Sequence, residues 1–353
     1  IMERLVGSEM CIRDRTMGKN LINIALFGLG RIGLLHAKNL SNNKNFNLKY
    51  IFDINKKVSK KIAKSLNCKN IENPQIALKD KNIDCIFISS PTATHLKLIF
   101  ESVKNGKTVF CEKPLDLNLN KILKYEKKIN KFKHKIQIGF NRRYDTGHSL
   151  LKNSLKKGKI GKLEKIIITS RDPAAPSIKY LKASGGIFKD MMIHDFDLAR
   201  YYAGNDKFVS IFATGSNISN KYFNKLKDFE LATAVLKTKS GIQCVISNSR
   251  HCSFGYDQRV ELFGSKGMVI SDNVKQNEIS EYSNKNTNAG SNFKHFFTER
   301  YEQAYKDQLN DLAKLFKKNL RPKTGFIDGK ISIQIAESAI QSIKSKKFEK
   351  IKY

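Results

Sequence analysis

The feature that most restricts the fold of this chain is a glycine motif, Gly28-Leu29-Gly30-Arg31-Ile32-Gly33. Residues 23–27 before it form a short apolar run typical of a strand, and residues 34–40 after it repeat apolar side chains at helical spacing. Between a strand and a helix, the first glycine permits a tight turn, the second lets the backbone approach a pyrophosphate, and the third allows close packing of helix on strand. The motif therefore predicts a dinucleotide-binding unit of the Rossmann type.

An acidic residue stands where such a unit needs one. A second apolar strand, residues 48–52, ends at Asp53, about 20 residues beyond the last glycine. A carboxylate at this position accepts hydrogen bonds from the adenosine ribose and repels a 2′-phosphate. Ile54 follows it instead of an arginine, although Lys56 and Lys57 lie close by. We therefore expect NAD as the cofactor. The residues expected to bind it are Asp53 and, in the glycine motif, Gly28, Gly30, Arg31, Ile32 and Gly33.

Strand-like and helical segments continue to alternate through the first half of the chain, with strands at residues 84–91, 108–111 and 135–140. This alternation predicts a doubly wound parallel sheet, in which ligands bind at the carboxyl ends of the strands. Pro91, His95, Lys113 and residues 141–143 fall at those ends.

The second half has a different pattern. Alternating strands over residues 159–171, 208–214, 230–237, 242–250, 258–264 and 267–271 are joined by turns. The Asn- and Ser-rich residues 275–292 read as a loop, and residues 293–318 and 329–346 as helices. The predicted fold class is thus α/β: a Rossmann domain over residues 20–139 and an α+β domain over residues 140–353 with a large, mostly antiparallel open sheet.

Composition excludes some classes of function. The net charge of +33 comes mostly from lysines scattered along the chain, without aromatic-interleaved basic motifs, so we expect no nucleic-acid partner. No apolar run approaches the ~20 residues of a membrane span, so we expect no membrane partner. The six cysteines lack paired spacing, which is typical of reduced thiols in a cytoplasmic protein. Residues 1–19 show no periodicity and are expected to form a disordered or non-native extension, with Met17 as the native start.

A pair suited to proton transfer lies in the second half. Asp190 and His194 are four residues apart in an apolar-periodic run, and on one continuous helix they would share a face. We expect the aspartate to raise the pKa of the histidine. Asp195 and Asp197 would lie on other faces and serve structural roles. A metal site made of Asp190, His194 and Asp197 is the alternative reading of this segment.

The triplet Glu112-Lys113-Pro114 matches the EKP motif of the Gfo/Idh/MocA oxidoreductases, and the chain resembles that family from Ile22 to its C-terminus. Within the family, residues 139–145, 170–173 and 185–197 are similar to inositol 2-dehydrogenases, apart from Asn141, where we expect Met. The resemblance implies oxidation of myo-inositol to scyllo-inosose with NAD, in inositol catabolism, by a homotetramer that needs no metal.

The resemblance also implies roles for individual residues. The catalytic set carries over to Lys113, Asp190 and His194, with the histidine as proton acceptor and the lysine hydrogen-bonded to the reacting oxygen. Further implied cofactor contacts are Ser90, Pro91, His95, Glu112 and Lys113. Recognition of a polyol needs matching polar groups, and the candidates for it are Arg142, Asp172 and Tyr256. Each has a structural alternative: the arginine could hold a structural carboxylate, the aspartate could be a turn residue, and the tyrosine could belong to the core or to a subunit contact. Two alternatives stay open: a related enzyme acting on another cyclic polyol or sugar, and a non-catalytic dinucleotide-binding regulator.

Overall fold

The computed structural model describes residues 21–220, 222–318 and 320–353. The expectation for residues 1–19 therefore lies outside the described residues. Within the described ranges, no helix is long and apolar enough to cross a membrane.

The first half of the chain folds into a six-stranded parallel sheet in the order β3-β2-β1-β4-β5-β6. Strands and helices alternate as β1 (Ile22–Phe27), α1 (Arg31–Ser41), β2 (Phe46–Phe52), α2 (Lys56–Ser65), β3 (Lys69–Asn70), α3 (Pro74–Lys79), β4 (Cys85–Ile88), α4 (His95–Lys104), β5 (Thr108–Cys111), α5 (Leu119–Ile129) and β6 (Ile136–Ile138). The strand order reverses between β1 and β4, and in such sheets ligands bind at the carboxyl ends of the strands next to the reversal. The predicted doubly wound sheet is confirmed.

Local sequence signals explain these elements. Asn55, Asn73 and Asn118 each accept a hydrogen bond from a main-chain amide in the first turn of α2, α3 and α5, which satisfies a donor that the helix leaves free. The four residues of β4 are all fully buried, because a parallel sheet with helices on both faces has no solvent side.

The second half builds a seven-stranded sheet in the order β12-β11-β7-β10-β9-β8-β15. Its elements are α6 (Thr146–Lys156), β7 (Leu163–Arg171), α7 (Ile178–Ser184), α8 (Gly186–Asp190), α9 (Met192–Ala203), β8 (Phe208–Ser216), α10 (Tyr222–Lys225), β9 (Leu231–Thr238), β10 (Gln243–Ser249), β11 (Asp257–Gly264), β12 (Gly267–Ser271), β13 (Ser280–Tyr282), β14 (Thr287–Gly290), α11 (Phe297–Arg300), α12 (Glu302–Lys318), α13 (Phe326–Ser345) and β15 (Glu349–Lys350). Strands β7 and β10 pair in parallel, and the other pairs of this sheet are antiparallel. This agrees with the predicted mostly antiparallel sheet.

The composition of the polar segment 275–292 predicted a loop, but the segment is only partly a loop. It contains the short antiparallel ribbon of β13 and β14, whose side chains are exposed. Such short polar strands lack the alternation of apolar and polar residues from which a strand is predicted.

Helices from the second half hold the two sheets together. Leu309, Leu312 and Ala313 of α12 pack into a core with β1 on one face of the first sheet. Helix α13 serves both sheets, with Ile333 in the core of the first and Ala336 in the core of the second. The chain crosses between the sheets just after β6, and the predicted boundary at residues 139–140 stays a prediction.

Candidate active site

The glycine motif forms the turn between β1 and the start of α1. Gly28 has a φ of +97°, and a Cβ at Gly33 would lie 2.1 Å from the carbonyl oxygen of Gly28, so both positions require glycine for the protein's own packing. A Cβ built on Gly30 meets no protein atom within 4 Å. The loop therefore keeps open space before the amino end of α1, as binding of a pyrophosphate requires.

Asp53 is tied to the same loop. Its Oδ2 accepts a hydrogen bond of 2.6 Å from the Leu29 amide, and its Oδ1 accepts one of 2.8 Å from Asn55. Each carboxylate oxygen has a second lone pair. The acid is thus fixed at the end of β2 and can still accept a bond from a ribose hydroxyl, which fits a dinucleotide.

Two other motif residues face the second half of the chain. The Arg31 guanidinium lies 5.4 Å from the centre of the Phe296 ring, a cation–π contact. Ile32 packs against a buried cluster of Tyr144, Tyr256, Tyr301, Ala304 and Tyr305. The amino end of α1, where the phosphates are expected to bind, is therefore packed against residues distant in sequence.

The loop after β4 carries Ser90, Pro91 and His95. The Ser90 hydroxyl lies 2.6 Å from that of Thr94, and Pro91 directly precedes a short 3₁₀ turn over Thr92–Thr94. His95 is buried, and its ring nitrogens lie 2.8 Å from the carbonyl oxygens of Ser90 and Pro114. Burial lowers its pKa, and these two carbonyls oppose the shift. The imidazole thus joins the loops after β4 and β5 instead of offering a nitrogen to a ligand.

Glu112, the first residue of the EKP triplet, also faces inward. Its Oε1 lies 2.7 Å from Nε2 of His36, a fully buried residue of α1, and its Oε2 accepts a 3.2 Å bond from the Lys113 amide. Both oxygens are therefore engaged with protein groups, and the carboxylate links α1 to the loop that carries Lys113.

Lys113 is the point where the two halves of the site meet. Its Nζ donates hydrogen bonds to Asp190, of 2.9 Å to the main-chain oxygen and 3.2 Å to Oδ1. The lysine follows β5 in the first sheet, and the aspartate ends α8 in the second half. Two residues of the predicted catalytic set are thus in direct contact.

The expectation that Asp190 and His194 lie on one helix is wrong. Helix α8 ends at Asp190, and α9 starts at Met192. In a continuous helix the Asp190 carbonyl would accept the His194 amide, but it accepts Lys113 Nζ instead, and that amide bonds to the Met191 oxygen at 3.2 Å. The lysine takes the place of one helical hydrogen bond.

The Asp190 carboxylate is surrounded by donors. Besides Lys113, the Tyr180 hydroxyl donates to Oδ1 at 2.6 Å, and Arg250 Nη1 donates to Oδ2 at 3.0 Å. Burial alone would raise the pKa of Asp190, but Lys113 and Arg250, together with the tyrosine bond, hold it below its usual value. This carboxylate is therefore an anion at neutral pH.

His194 is in a different electrostatic state from the one expected. Burial, followed by the cations Lys113 and Arg142, pushes the pKa of His194 well below its usual value. The prediction that Asp190 would raise this pKa is therefore wrong, because burial and the two cations set its direction. Nδ1 of His194 has no partner among the described residues. The ring is neutral and can accept a proton.

Arg142 is held by structural contacts. Its guanidinium donates to the buried carboxylate of Asp195 and, at 2.9 Å, to the Ser170 hydroxyl. Asp197 likewise accepts from Arg143, at 2.8 Å and 2.6 Å. These ion pairs fit the structural roles expected of Asp195 and Asp197. In the described part of the chain, no three His, Cys, Asp or Glu side chains are grouped so that they could hold a metal ion.

Asp172 and Tyr256 lie in the same electrostatic neighbourhood. Burial raises the pKa of Asp172 to about 6, with Arg250 opposing the shift and Asp190 adding to it. Tyr256 is buried and stands perpendicular to the Tyr301 ring at 6.0 Å. Asn141 is also buried, and its Nδ2 has no partner among the described residues. The structure gathers near Arg142 the residues predicted to recognise a substrate.

Arg250 and Tyr180 were missed from the sequence. Arg250 follows β10, and Tyr180 stands in α7. The sequence does show a basic residue, Arg250, at the end of a predicted strand. The parallel pairing of β10 with β7, which brings this residue to the site, cannot be predicted from the sequence.

Comparison with known proteins gives two family matches. Residues 22–140 match the model described as an oxidoreductase family with an NAD-binding Rossmann fold, and residues 148–270 match the GFO/IDH/MocA C-terminal domain.

Individual relatives are similar over nearly their full length. The myo-inositol 2-dehydrogenase of Thermotoga maritima is 38% identical over 94% of this chain and 98% of its own. A myo-inositol dehydrogenase structure from Corynebacterium glutamicum superposes with a TM-score of 0.91 at 35% identity, covering 94% of this chain and 99% of that one. A scyllo-inositol dehydrogenase structure from Lactobacillus casei, with bound NAD(H) and scyllo-inositol, has a TM-score of 0.86 at 26% identity, covering 94% and 99%.

Proposed function

The chain belongs to the Gfo/Idh/MocA oxidoreductase family, and on that premise we propose that it oxidises myo-inositol to scyllo-inosose with NAD, as a step of inositol catabolism. The observation that carries the proposal is the contact of Lys113 with Asp190 beside a neutral His194. A charged donor and a proton acceptor at one place are what oxidation of a secondary alcohol requires.

The first sheet supplies the cofactor site. The space before Gly30 accommodates a pyrophosphate, and Asp53 at the end of β2 accepts a ribose hydroxyl. When bound, NAD supplies the hydride acceptor, and the protein has to place the carbinol carbon and handle the hydroxyl proton.

His194 takes the hydroxyl proton in this proposal. Because its pKa is held low, the imidazole is unprotonated at neutral pH. Lys113 donates a hydrogen bond to the same oxygen and stabilises the negative charge that develops as the proton leaves. Asp190 orients the lysine through two hydrogen bonds.

Recognition of a polyol fits the groups that surround the catalytic pair. Nδ2 of Asn141 is a buried donor without a partner in the described residues. Asp172 offers a carboxylate acceptor, and Tyr256 an aromatic wall. A ring with a hydroxyl on each carbon can satisfy such groups, whereas an apolar alcohol would leave them unpaired.

A substrate panel tests the proposal. Purified protein is mixed with NAD and, separately, myo-inositol, scyllo-inositol or glucose, and formation of the reduced nicotinamide is followed by absorbance. The highest kcat/KM is expected with myo-inositol. A preference for scyllo-inositol or glucose would support the related-enzyme alternative, and NAD binding without turnover of any polyol would support the non-catalytic alternative.

The assembly and location belong to the same proposal. Phe263 of β11 lies opposite Met268 of β12, and Ile270, two residues further along β12, shares their face of the sheet. The three side chains are 44%, 48% and 53% exposed, on the face turned away from α9 and α13. We place a homotetramer contact on this face, testable by light scattering of the wild type and of Ile270→Asp. The described cysteines are free thiols, which suits a cytoplasmic protein.

A further inference from the structure

Arg250 occupies an unusual position for an arginine. It is 1% exposed, in the core of the second half, directly after the central strand β10. Long cationic side chains are almost never buried to this extent unless they are paired. The surroundings of Arg250 should therefore account for its charge.

The parallel pair of strands explains how Arg250 reaches the site. Strand β10 runs beside β7 with Ser249 opposite Arg171, and the Asp172 amide donates to the Ser249 oxygen at 2.9 Å. Asp172 and Arg250, which follow the two strands, therefore emerge side by side at one edge of the sheet. The catalytic helix end at Asp190 faces the same edge.

The guanidinium connects two carboxylates. Its Nη1 lies 3.0 Å from Asp190 Oδ2 and 3.8 Å from Asp172 Oδ2. Lys113 and the Tyr180 hydroxyl contact Asp190 from the opposite side, through Oδ1. Asp228 and Arg142 are the further charged groups acting on Arg250 and Asp172, respectively. Without Arg250, the buried Asp190 and the partly buried Asp172 would lose the cation that both contact.

We propose that Arg250 is a positioning residue of the active site, which keeps Asp190 and Asp172 together as two anions so that Asp190 holds Lys113 in place for the reaction. The proposal rests on the proposed function and adds a residue that does not act directly on the substrate's reacting oxygen. A buried guanidinium suits this task because it stays charged, and its Nη1 atom lies near both carboxylates.

The first test compares Arg250→Met with Arg250→Lys. The methionine variant loses the charge, and kcat with myo-inositol should fall roughly tenfold or more, while the KM for NAD stays near the wild-type value. The lysine variant keeps a cation and should recover part of kcat. Equal losses of kcat in both variants, or none, would overturn the proposal.

A second measurement needs no turnover, so its outcome is separate from that of the proposed function. Removing Arg250 raises the pKa of both carboxylates, that of Asp190 from below its usual value and that of Asp172 from about 6. The resulting loss of stability grows as pH rises through the range where the two groups ionise. The Tm deficit of Arg250→Met should therefore be larger at about pH 8 than at about pH 5. A deficit independent of pH would mean that Arg250 only fills space.

A double variant keeps the idea testable if Arg250→Met folds poorly. Asp172→Asn removes one of the two anions, so Arg250→Met combined with Asp172→Asn should be more stable at about pH 8 than Arg250→Met alone. Losses of stability that simply add would contradict the charge-sharing role of Arg250.

Discussion

The ammonium nitrogen of Lys113 lies 2.9 Å from the main-chain oxygen and 3.2 Å from Oδ1 of Asp190. This contact joins the loop after β5 to the end of α8, and it removes the Asp190 carbonyl from the helical hydrogen-bond pattern. The break leaves His194 in a separate helix, α9. Asp190 and His194 are four positions apart in the sequence, but Lys113 binds only the aspartate, so the two residues have different roles.

Replacing His194 with Ala should lower kcat by a factor on the order of 10² or more, because the hydroxyl proton loses its acceptor. Steady-state kinetics with myo-inositol and NAD measures the effect. His134, an exposed histidine after α5, provides the matched control, and His134→Ala should leave kcat unchanged. Near-normal turnover in His194→Ala would remove this residue from the mechanism.

The pH dependence of kcat/KM should follow the ionisation of Asp172 and not that of His194. The Asp172 pKa is raised to about 6, so below that pH the carboxyl is protonated and no longer a charged acceptor. Burial and the cations Lys113 and Arg142 hold the pKa of His194 well below its usual value. We expect kcat/KM to fall below about pH 6 in the wild type and the fall to be absent in Asp172→Asn. An unchanged profile in that variant would assign the titration elsewhere.

Gly30→Ala should separate folding from cofactor binding. An added methyl meets no protein atom within 4 Å, and the φ of −65° suits alanine, so stability should be retained. A bound pyrophosphate would meet the methyl, so the Kd for NAD should rise. In Gly33→Ala the methyl would press on the Gly28 carbonyl at 2.1 Å, and both Tm and binding should suffer. Isothermal titration and thermal melts distinguish the two, and equal NAD affinity in Gly30→Ala and wild type would place the pyrophosphate elsewhere.

Asp53→Ala should weaken NAD more than NADP, since the lost carboxylate would accept from a ribose hydroxyl and repel a 2′-phosphate. Both cofactors should weaken to some extent because the Leu29 amide loses its acceptor. Kd values for the two cofactors give the comparison. Glu72→Ala, which removes an exposed carboxylate, is the control for net charge. Equal losses for NAD and NADP would refute the proposed role of Asp53 in cofactor choice.

Asp195→Ala should reduce the free energy of unfolding by about 3–5 kcal/mol, because the buried Arg142 guanidinium loses its ion-pair partner. Ser170 and Asn248 also lose an acceptor. Denaturant titration measures the change. The exposed pair of Glu302 with Lys306 gives the contrast, and Glu302→Ala should change stability by roughly 0.5 kcal/mol or less. Similar losses in the two variants would argue against a structural role for Asp195.

The sequence by itself determined the first sheet and its ligand. The glycines, the apolar strand before them and Asp53 are local signals, and their spacing is dictated by one turn between a strand and a helix. The structure places them as expected, with Gly28 and Gly33 in contact and Asp53 bonded to the loop. The strands of the second half were also readable, because alternation of apolar and polar residues marks a sheet with one buried face.

Only the tertiary structure decided how the catalytic groups interact. The helix break at Met191, the contact of Asp190 with Lys113 and the position of Arg250 all depend on residues that are 60 to 77 positions apart. A pKa likewise depends on burial and on charges that surround a group in space, as for His194 beside Lys113 and Arg142. Neither long-range contacts nor pKa values follow a periodic pattern along the chain. Sequence spacing therefore predicted Asp190 beside His194, whereas in the folded protein Asp190 contacts Lys113 and Arg250.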